Sequence, residues 1–286
     1  MTTLAAAMNP DVKKRTLKYL WYVVMILATV VTLFPIYWSV VTSLKKASEI
    51  VQMPATYFPS VVTWTHFATA WNTLGFMTFF KNSFYVSLVS MIFTVIFATM
   101  AGFALARYQF KFKKSFLLMI LCTQFFPGAM LIIPLFMIYN TMGLINSHLS
   151  LILTYTTFHI PFNAILMSGF IANIPVELEE AAMVDGCTRF GAITKIVLPV
   201  LVPGLVATSA FAFISSWNDF LYALMFLSKN TKFTIPVGLH FMIGEYSIDY
   251  GAMAAGSVIS MVPLLLLFAY VQKFLVSGLS SGAVKG

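Results

Sequence analysis

The residues best suited to specific chemistry lie in two short runs. The first is Ile174-Pro175-Val176-Glu177-Leu178-Glu179-Glu180-Ala181-Ala182-Met183-Val184-Asp185-Gly186. Across segment 171–199, Glu177, Glu179, Glu180 and Asp185 stand against Arg189 and Lys195, a net −2 in a chain whose formal net charge is +8. Pro175 suits a first helical position, acids in the first turns complement the positive end of the helix dipole, and Gly186 can supply a left-handed stop. Thr188 can cap a second short helix running through Phe190, Ile193 and Ile196 to Leu198-Pro199. The pattern predicts a helix, a Gly break and a second helix. A solvated acidic loop would explain the acids, but not the small apolar face made by Ala181, Ala182 and Met183 beside them.

The second run is Trp217-Asn218-Asp219, an aromatic ring, an amide and an acid inside a long apolar stretch. Asp219 lies eight residues before the end of that stretch, roughly 12 Å deep at 1.5 Å per residue. An intramembrane acid is costly, so it either faces a wet cavity as a functional group or locks neighbouring helices by hydrogen bonds. Gln124, Tyr155, His159 and Asn163 are further polar candidates for a substrate path, each equally able to serve as interhelical glue. His159 and Asp219 also raise a proton relay, but no other acid lies in an apolar stretch to extend it.

Enzymatic chemistry finds no footing. The histidines, at positions 66, 148, 159 and 240, neighbour no placed nucleophile, and no His/Cys/Glu cluster has metal-ligand spacing. No G-x-x-x-x-G-K-[ST] phosphate loop occurs; Gly191-Ala192-Ile193-Thr194-Lys195 comes nearest and lacks the second Gly. No catalytic residue, bound cofactor or metal is expected, and any ATP-derived energy must come from a partner.

The elements that position these runs follow from composition. Of 286 residues 60% are hydrophobic and 9% charged, with a mean hydropathy of +0.90; soluble domains carry roughly 25% charged residues. The chain is a membrane protein. Six windows reach the ~20 apolar residues of a span: 20–42, 83–105, 115–140, 150–170, 200–227 and 252–272. Runs such as Leu131-Ile132-Ile133-Pro134-Leu135-Phe136 do not alternate as barrel strands do, so the expected fold is all-α and polytopic with six transmembrane helices. The first window follows Lys13, Lys14, Arg15 and Lys18 but is too long for a cleaved signal peptide, and reads as a signal anchor. Pro35, Pro127, Pro134, Pro161, Pro203 and Pro263 punctuate five of the six windows. Cys122, in a span, and Cys187, in a loop, are not expected to pair.

Orientation follows from basic residues. Segments 1–19, 106–114, 171–199 and 273–286 hold 12 of the 17 Lys and Arg, against 5 in segments 43–82, 141–149 and 228–251 of similar total length. The first set is expected in the cytoplasm, with both termini. In the outer loop 43–82, Thr63 suits an N-cap, and Trp64, Phe67, Ala68 and Trp71 fall on one helical face. That face would rest on the membrane surface, on the bundle, or on an extracytoplasmic partner.

Glu180-Ala181-Ala182, Asp185-Gly186 and Ile196-Val197-Leu198-Pro199 together resemble the Glu-Ala-Ala loop of permease subunits of binding-protein-dependent ABC importers, over roughly residues 70–275. Gly169-Phe170-Ile171, Ile174 to Glu180, Trp217 to Leu221, and the tail Gly278-Leu279 to Val284-Lys285-Gly286 resemble the carbohydrate-uptake branch, on the side of the maltose-type second permease subunit. The resemblance implies a type I importer transmembrane domain in a bacterial-type inner membrane. It implies a cytoplasmic N-terminus 1–19, a permease domain 20–272, a coupling loop 174–199 that docks in a cleft of the ATPase, and a tail 273–286. Glu179, Glu180, Ala181, Ala182, Asp185, Gly186, Leu198 and Pro199 would carry coupling, with Glu180 paired to a cation of the ATPase. Gly282 and Lys285 would reach the ATPase dimer interface. Its implied partners are a dimeric ABC ATPase holding ATP and Mg, a second and usually different permease, and an extracytoplasmic solute-binding protein. The implied cargo is a sugar or oligosaccharide, with a polyol or glycerol phosphate as the alternative; a stand-alone proton-coupled transporter is the rival from outside the family.

Overall fold

A computed structural model describes residues 10–243 and 249–283. Its regular elements are helices, with no strand among the described residues. The long α1 (Pro10–Leu44) is followed by the short α2 (Ala47–Ile50) and α3 (Thr65–Ala68), and α3 runs into a π-helical turn at Thr69–Thr73. Next come α4 (Phe76–Arg107), α5 (Lys113–Thr123), α6 (Ile132–Thr141) and α7 (His148–Ala172). The short α8 (Glu177–Val184), α9 (Arg189–Ala192) and α10 (Leu198–Val200) follow, the last two joined by a π turn at Ile193–Val197. α11 (Val202–Asn218), α12 (Leu221–Phe226), α13 (Ile235–Phe241) and α14 (Tyr250–Ala283) complete the chain. Lys285 lies outside the described residues, and Gly282 falls within the last turns of α14.

Four helices are long and apolar enough to cross a membrane, and six spans result if two bent pairs each count as one. The pairs fall at the third window and at the start of the fifth, both punctuated by proline. The third breaks over Gln124–Pro127, so that α5 and the Gly128–Thr141 segment meet at 86°. Pro127 lacks an N–H, and its ring pushes Phe126 out of the helical region. Arg189–Val200 meets α11 at 74°, with Pro203 in the first turn of α11, where a missing donor costs nothing. The fifth window breaks again at Asp219, which is extended (φ −67°, ψ 130°). Pro35, Pro161 and Pro263 sit inside continuous helices.

The described residues fall into two compact units, residues 10–70 with 249–259 and residues 71–243 with 260–283. In the first, a buried polar knot organises the loop after α1. Glu49 accepts from the Thr56 hydroxyl, the Ser60 N–H and the Ser60 hydroxyl, each at 3.0 Å. Lys45 donates to the Thr56 carbonyl and stacks 4.9 Å over Trp38. His66 lies 2.9 Å from the Lys45 carbonyl, and Asp249 caps α14 by accepting from Ala252 N–H at 2.8 Å. The amphipathic helix expected over 63–71 is a four-residue helix running into a π turn, and the side chains it turns inward are His66 and Ala70, while Trp64 stays exposed.

The second unit is built on α4 and α7. Ser83, Ser87, Ser90, Thr94 and Ala98 are buried along one stripe of α4 that continues to Gly102. Small side chains let transmembrane backbones approach closely. A Cβ at Gly102 would stand 2.9 Å from Met167 Cβ, 2.9 Å from Ser168 N and 3.0 Å from Ala164 O. At the far end of α4, Ser83 Oγ accepts from Ile235 N–H at 2.8 Å and Asn82 donates to the carbonyls of Thr231 and Phe233. Asn146, at φ +61°, accepts from Ser228 and Lys229, tying the α6–α7 turn to the segment after α12.

Gly102→Leu should destabilise the second unit by about 1–3 kcal/mol, the usual cost of overpacking, read as a lowered melting temperature in detergent. Gly169→Ala is the control: nothing lies within 4 Å of the added methyl, so its melting temperature should hold or rise.

Candidate functional site

The first site is the α8–α10 segment. Its helix starts at Glu177, two residues later than the Pro175 start expected, with Glu179 N–H bonded to Val176 O at 2.9 Å. Gly186 ends it in the left-handed conformation (φ +89°), with Gly186 N–H bonded to Met183 O and Cys187 N–H to Ala182 O. Thr188 caps α9, its hydroxyl accepting from Gly191 N–H at 3.1 Å. Local chemistry therefore fixes the helix–Gly–helix shape as read from the sequence.

Which side chains face away from the chain is set by non-local packing. Glu179 and Ala182, one turn apart, are buried; Glu180, Ala181, Met183, Val184 and Asp185 are exposed. Glu179 was grouped with the docking residues, but its carboxylate turns onto Arg107, the last residue of α4, with Nε to Oε1 at 2.6 Å. Arg107 also donates from Nη2 to Ile174 O at 2.9 Å. Both side chains are at most 7% exposed. A buried ion pair persists only where further hydrogen bonds compensate desolvation, and the Ile174 carbonyl supplies one. Behind them Met167, Ile171, Ile174, Val197 and Leu201 form an apolar core, with Leu198 packed against it. Pro199 is exposed. The outward face of the segment combines Glu180 with apolar surface from Val184 and Phe190, which are 87% and 76% exposed.

The second site is the break at Asp219. Its Oδ1 accepts from Tyr155 hydroxyl at 2.7 Å and from Ala223 N–H at 3.3 Å, so one carboxylate ties α7 to the start of α12. His159 stacks on Tyr155, with ring centroids 6.2 Å apart, and its Nδ1 lies 3.5 Å from Ser216 Oγ. Tyr155, His159, Ser216 and Asp219 thus form one polar cluster between α7 and α11. The other expected path residues do not join it. Trp217 is buried in an aromatic stack with Phe80 and Phe213. Asn218 and Gln124 are exposed, Gln124 donating to Thr123 next to it, and Asn163 bonds the His159 carbonyl at 2.8 Å. Tyr155 rather than His159 holds Asp219, so no direct histidine–acid relay forms. Among the described residues no group of three or more His, Cys, Asp or Glu could hold a metal.

Residues 95–281 match the family described as binding-protein-dependent transport system inner membrane component. The chain belongs to this family. It is similar to a diacetylchitobiose uptake system permease protein of Streptomyces coelicolor, 37% identical over 253 residues, 88% of this chain and 92% of that one. It is also similar to a trehalose/maltose transport system permease protein of Thermococcus litoralis, 30% identical over 280 residues, 98% of this chain and 100% of that one. Its fold matches a chain in the crystal structure of a bacterial ABC transporter involved in import of the acidic polysaccharide alginate, with a TM-score of 0.80 at 21% identity, over 91% of this chain and 97% of that one. As a permease-family subunit the chain is a transport component and not a catalytic one.

Sequence reasoning missed Arg107, Ser216 and Tyr222. Tyr222 donates to the Gly128 carbonyl at 2.8 Å, bonding the unwound stretch of the third span, and the only advance signal was Gly128 beside Pro127. Removing the acceptor from Tyr155 should cost about 1–3 kcal/mol, the cost of an unsatisfied buried donor. Asp219→Ala should therefore lower the melting temperature of the purified chain more than Asp219→Asn, which keeps an acceptor. Equal effects would remove the Tyr155 bond as the reason for the acid.

Proposed function

We propose that this chain is a membrane-spanning permease subunit of an ATP-driven importer for a sugar or oligosaccharide delivered by an extracytoplasmic binding protein. ATP and Mg are held by a separate dimeric ATPase, and α8 is the element that meets it. The observation that carries this reading is the division of α8 into two faces: Glu180, Ala181 and Val184 are presented away from the chain while Glu179 and Ala182 are packed against it. A helix anchored on one face and open on the other is what a cleft in a partner requires. Gly186 leaves the approach clear: a Cβ built there would meet nothing within 4 Å.

The carbohydrate cargo is supported by the relatives, permease proteins of a diacetylchitobiose uptake system and of a trehalose/maltose transport system. The basic-residue bias supports an inner-membrane orientation with α8 and both termini in the cytoplasm. One α8 serves one ATPase subunit, so a dimeric ATPase calls for a second permease. Gly282 and Lys285, at the end of the tail, would lie at the ATPase dimer interface. Trp217, Asn218, Asp219, Gln124, Tyr155, His159 and Asn163 remain the candidate path residues, and the contact of Ser216 with His159 adds Ser216 to them.

Two measurements test the reading in vesicles that contain the assembled importer. Truncating one partner of an interfacial charge pair costs about 2–5 kcal/mol, so Glu180→Lys should abolish ATP-driven uptake of a labelled disaccharide with the subunit still inserted. Normal uptake and normal ATPase co-purification would refute the docking role. For orientation, a Cys placed at Phe190 should react with an impermeant thiol reagent from the cytoplasmic face alone; labelling of intact cells from outside would overturn the topology.

A further inference from the structure

We infer that Arg107 and Glu179 are a force-transmitting joint: the buried pair through which displacement of α8 is passed to α4 rather than absorbed in the loop. The inference rests on the reading of α8 as the ATPase-docking element and adds how its movement reaches the spans.

α8 is held to the chain by its packing on α9 and on the Ile193–Val197 turn, and to α4 by one buried ion pair. Covalently, α8 hangs from α7 through the non-helical residues Asn173–Val176, a soft connection in which a push could be lost to dihedral rotation. Against this, Arg107 makes two bonds that straddle the connection, one to Glu179 on α8 at 2.6 Å and one to Ile174 O within the link at 2.9 Å. A guanidinium presents its donors in a fixed planar fork, so the link and the helix are held to α4 as one piece. Ala182, one turn further on, packs the same face.

Glu179 and Glu180 are neighbours in sequence and diverge by about 100° around the helix. One faces the chain and the other faces away. Force applied on the Glu180 side therefore arrives at the Glu179 side one residue away. From Arg107 the path is α4 itself, a continuous helix of 32 residues. Its other end is bonded through Asn82 and Ser83 to the segment 231–235, and along its length it is locked to α7 at Gly102. A push at Arg107 thus reaches the opposite end of the unit through covalently continuous helix. Arg107 and Glu179 are positioning residues; neither touches cargo or nucleotide in this account.

A merely structural pair and a joint differ in one readout, the amount of solute carried per ATP hydrolysed. The test uses the complete importer, co-expressed with its ATPase, second permease and binding protein, and reconstituted with a disaccharide as probe. Arg107→Gln and Glu179→Gln should assemble and hydrolyse ATP, while solute carried per ATP falls about tenfold, within the usual range of coupling between sites. Arg107→Lys, which keeps the charge and loses the fork, should fall between wild type and Arg107→Gln. If Arg107→Gln does not assemble, Arg107→Lys decides: a wild-type ratio overturns the joint and a lowered ratio supports it. An unchanged ratio with less assembled complex makes the pair structural and overturns the inference. Glu180→Lys is measured alongside, because loss of ATPase association there, with Arg107→Gln still associated, separates docking from transmission. If Glu180→Lys stays fully coupled, the docking reading of α8 falls; if it loses coupling while Arg107→Gln keeps a normal ratio, the joint alone falls.

Discussion

The close approach of α4 and α7 is the contact on which the rest of the second unit hangs. It exists because α4 carries small side chains at one stripe and no side chain at Gly102, where a methyl group would strike Met167 and the backbone of Ala164 and Ser168. In a bilayer there is no hydrophobic force to press two apolar helices together, so area of contact between backbones has to supply the attraction. Once α4 and α7 are fixed, Arg107 lies at the mouth of the α7–α8 link and Tyr155 lies opposite Asp219. Both sites are therefore consequences of one helix pair.

The same medium dictates how the broken spans are completed. A backbone carbonyl freed inside lipid must find a donor within the protein. The unwound third span is bonded at Gly128 by Tyr222, and the break in the fifth is spanned by the Asp219 carboxylate, which accepts from Ala223 N–H. Tyr222 sits on α12, the short helix that begins just beyond the Asp219 break. Tyr222 thus joins the two discontinuities, and an aromatic contact between Phe158 and Tyr222 ties it to α7. The intramembrane acid has a structural role in this arrangement whatever it does for cargo.

The legible parts of the sequence were those whose causes are local. Gly186, Thr188 and the run of acids act within a few residues, and the helix–Gly–helix segment formed where they placed it. The apolar windows likewise marked helices, because a span is defined by length and hydropathy. The family resemblance was visible in the same local motifs. What could not be read depends on partners far along the chain. Arg107 looked like one more cation in a basic loop, since its partner lies 72 residues away. Pro127 breaks its span while Pro161 does not, and the partner that bonds the chain beyond the break, Tyr222, lies 94 residues after Gly128. The aromatic spacing at 64–71 marked a helix but not which side turns inward, because in a membrane protein an aromatic ring has an apolar solvent to face; the inward places went to His66 and Ala70.

The pairing of Arg107 also bears on biogenesis. While the chain is being made, Arg107 emerges with α4 long before Glu179 exists, and in the proposed orientation it serves then as a bare cation that retains its loop on the cytoplasmic side. Two further apolar windows must be threaded before Glu179 appears. Only then is the charge neutralised and drawn into a buried position. One side chain thus serves first as a topogenic signal and afterwards as a fastening, and the fastening can close only if the intervening hairpin has been inserted the right way round.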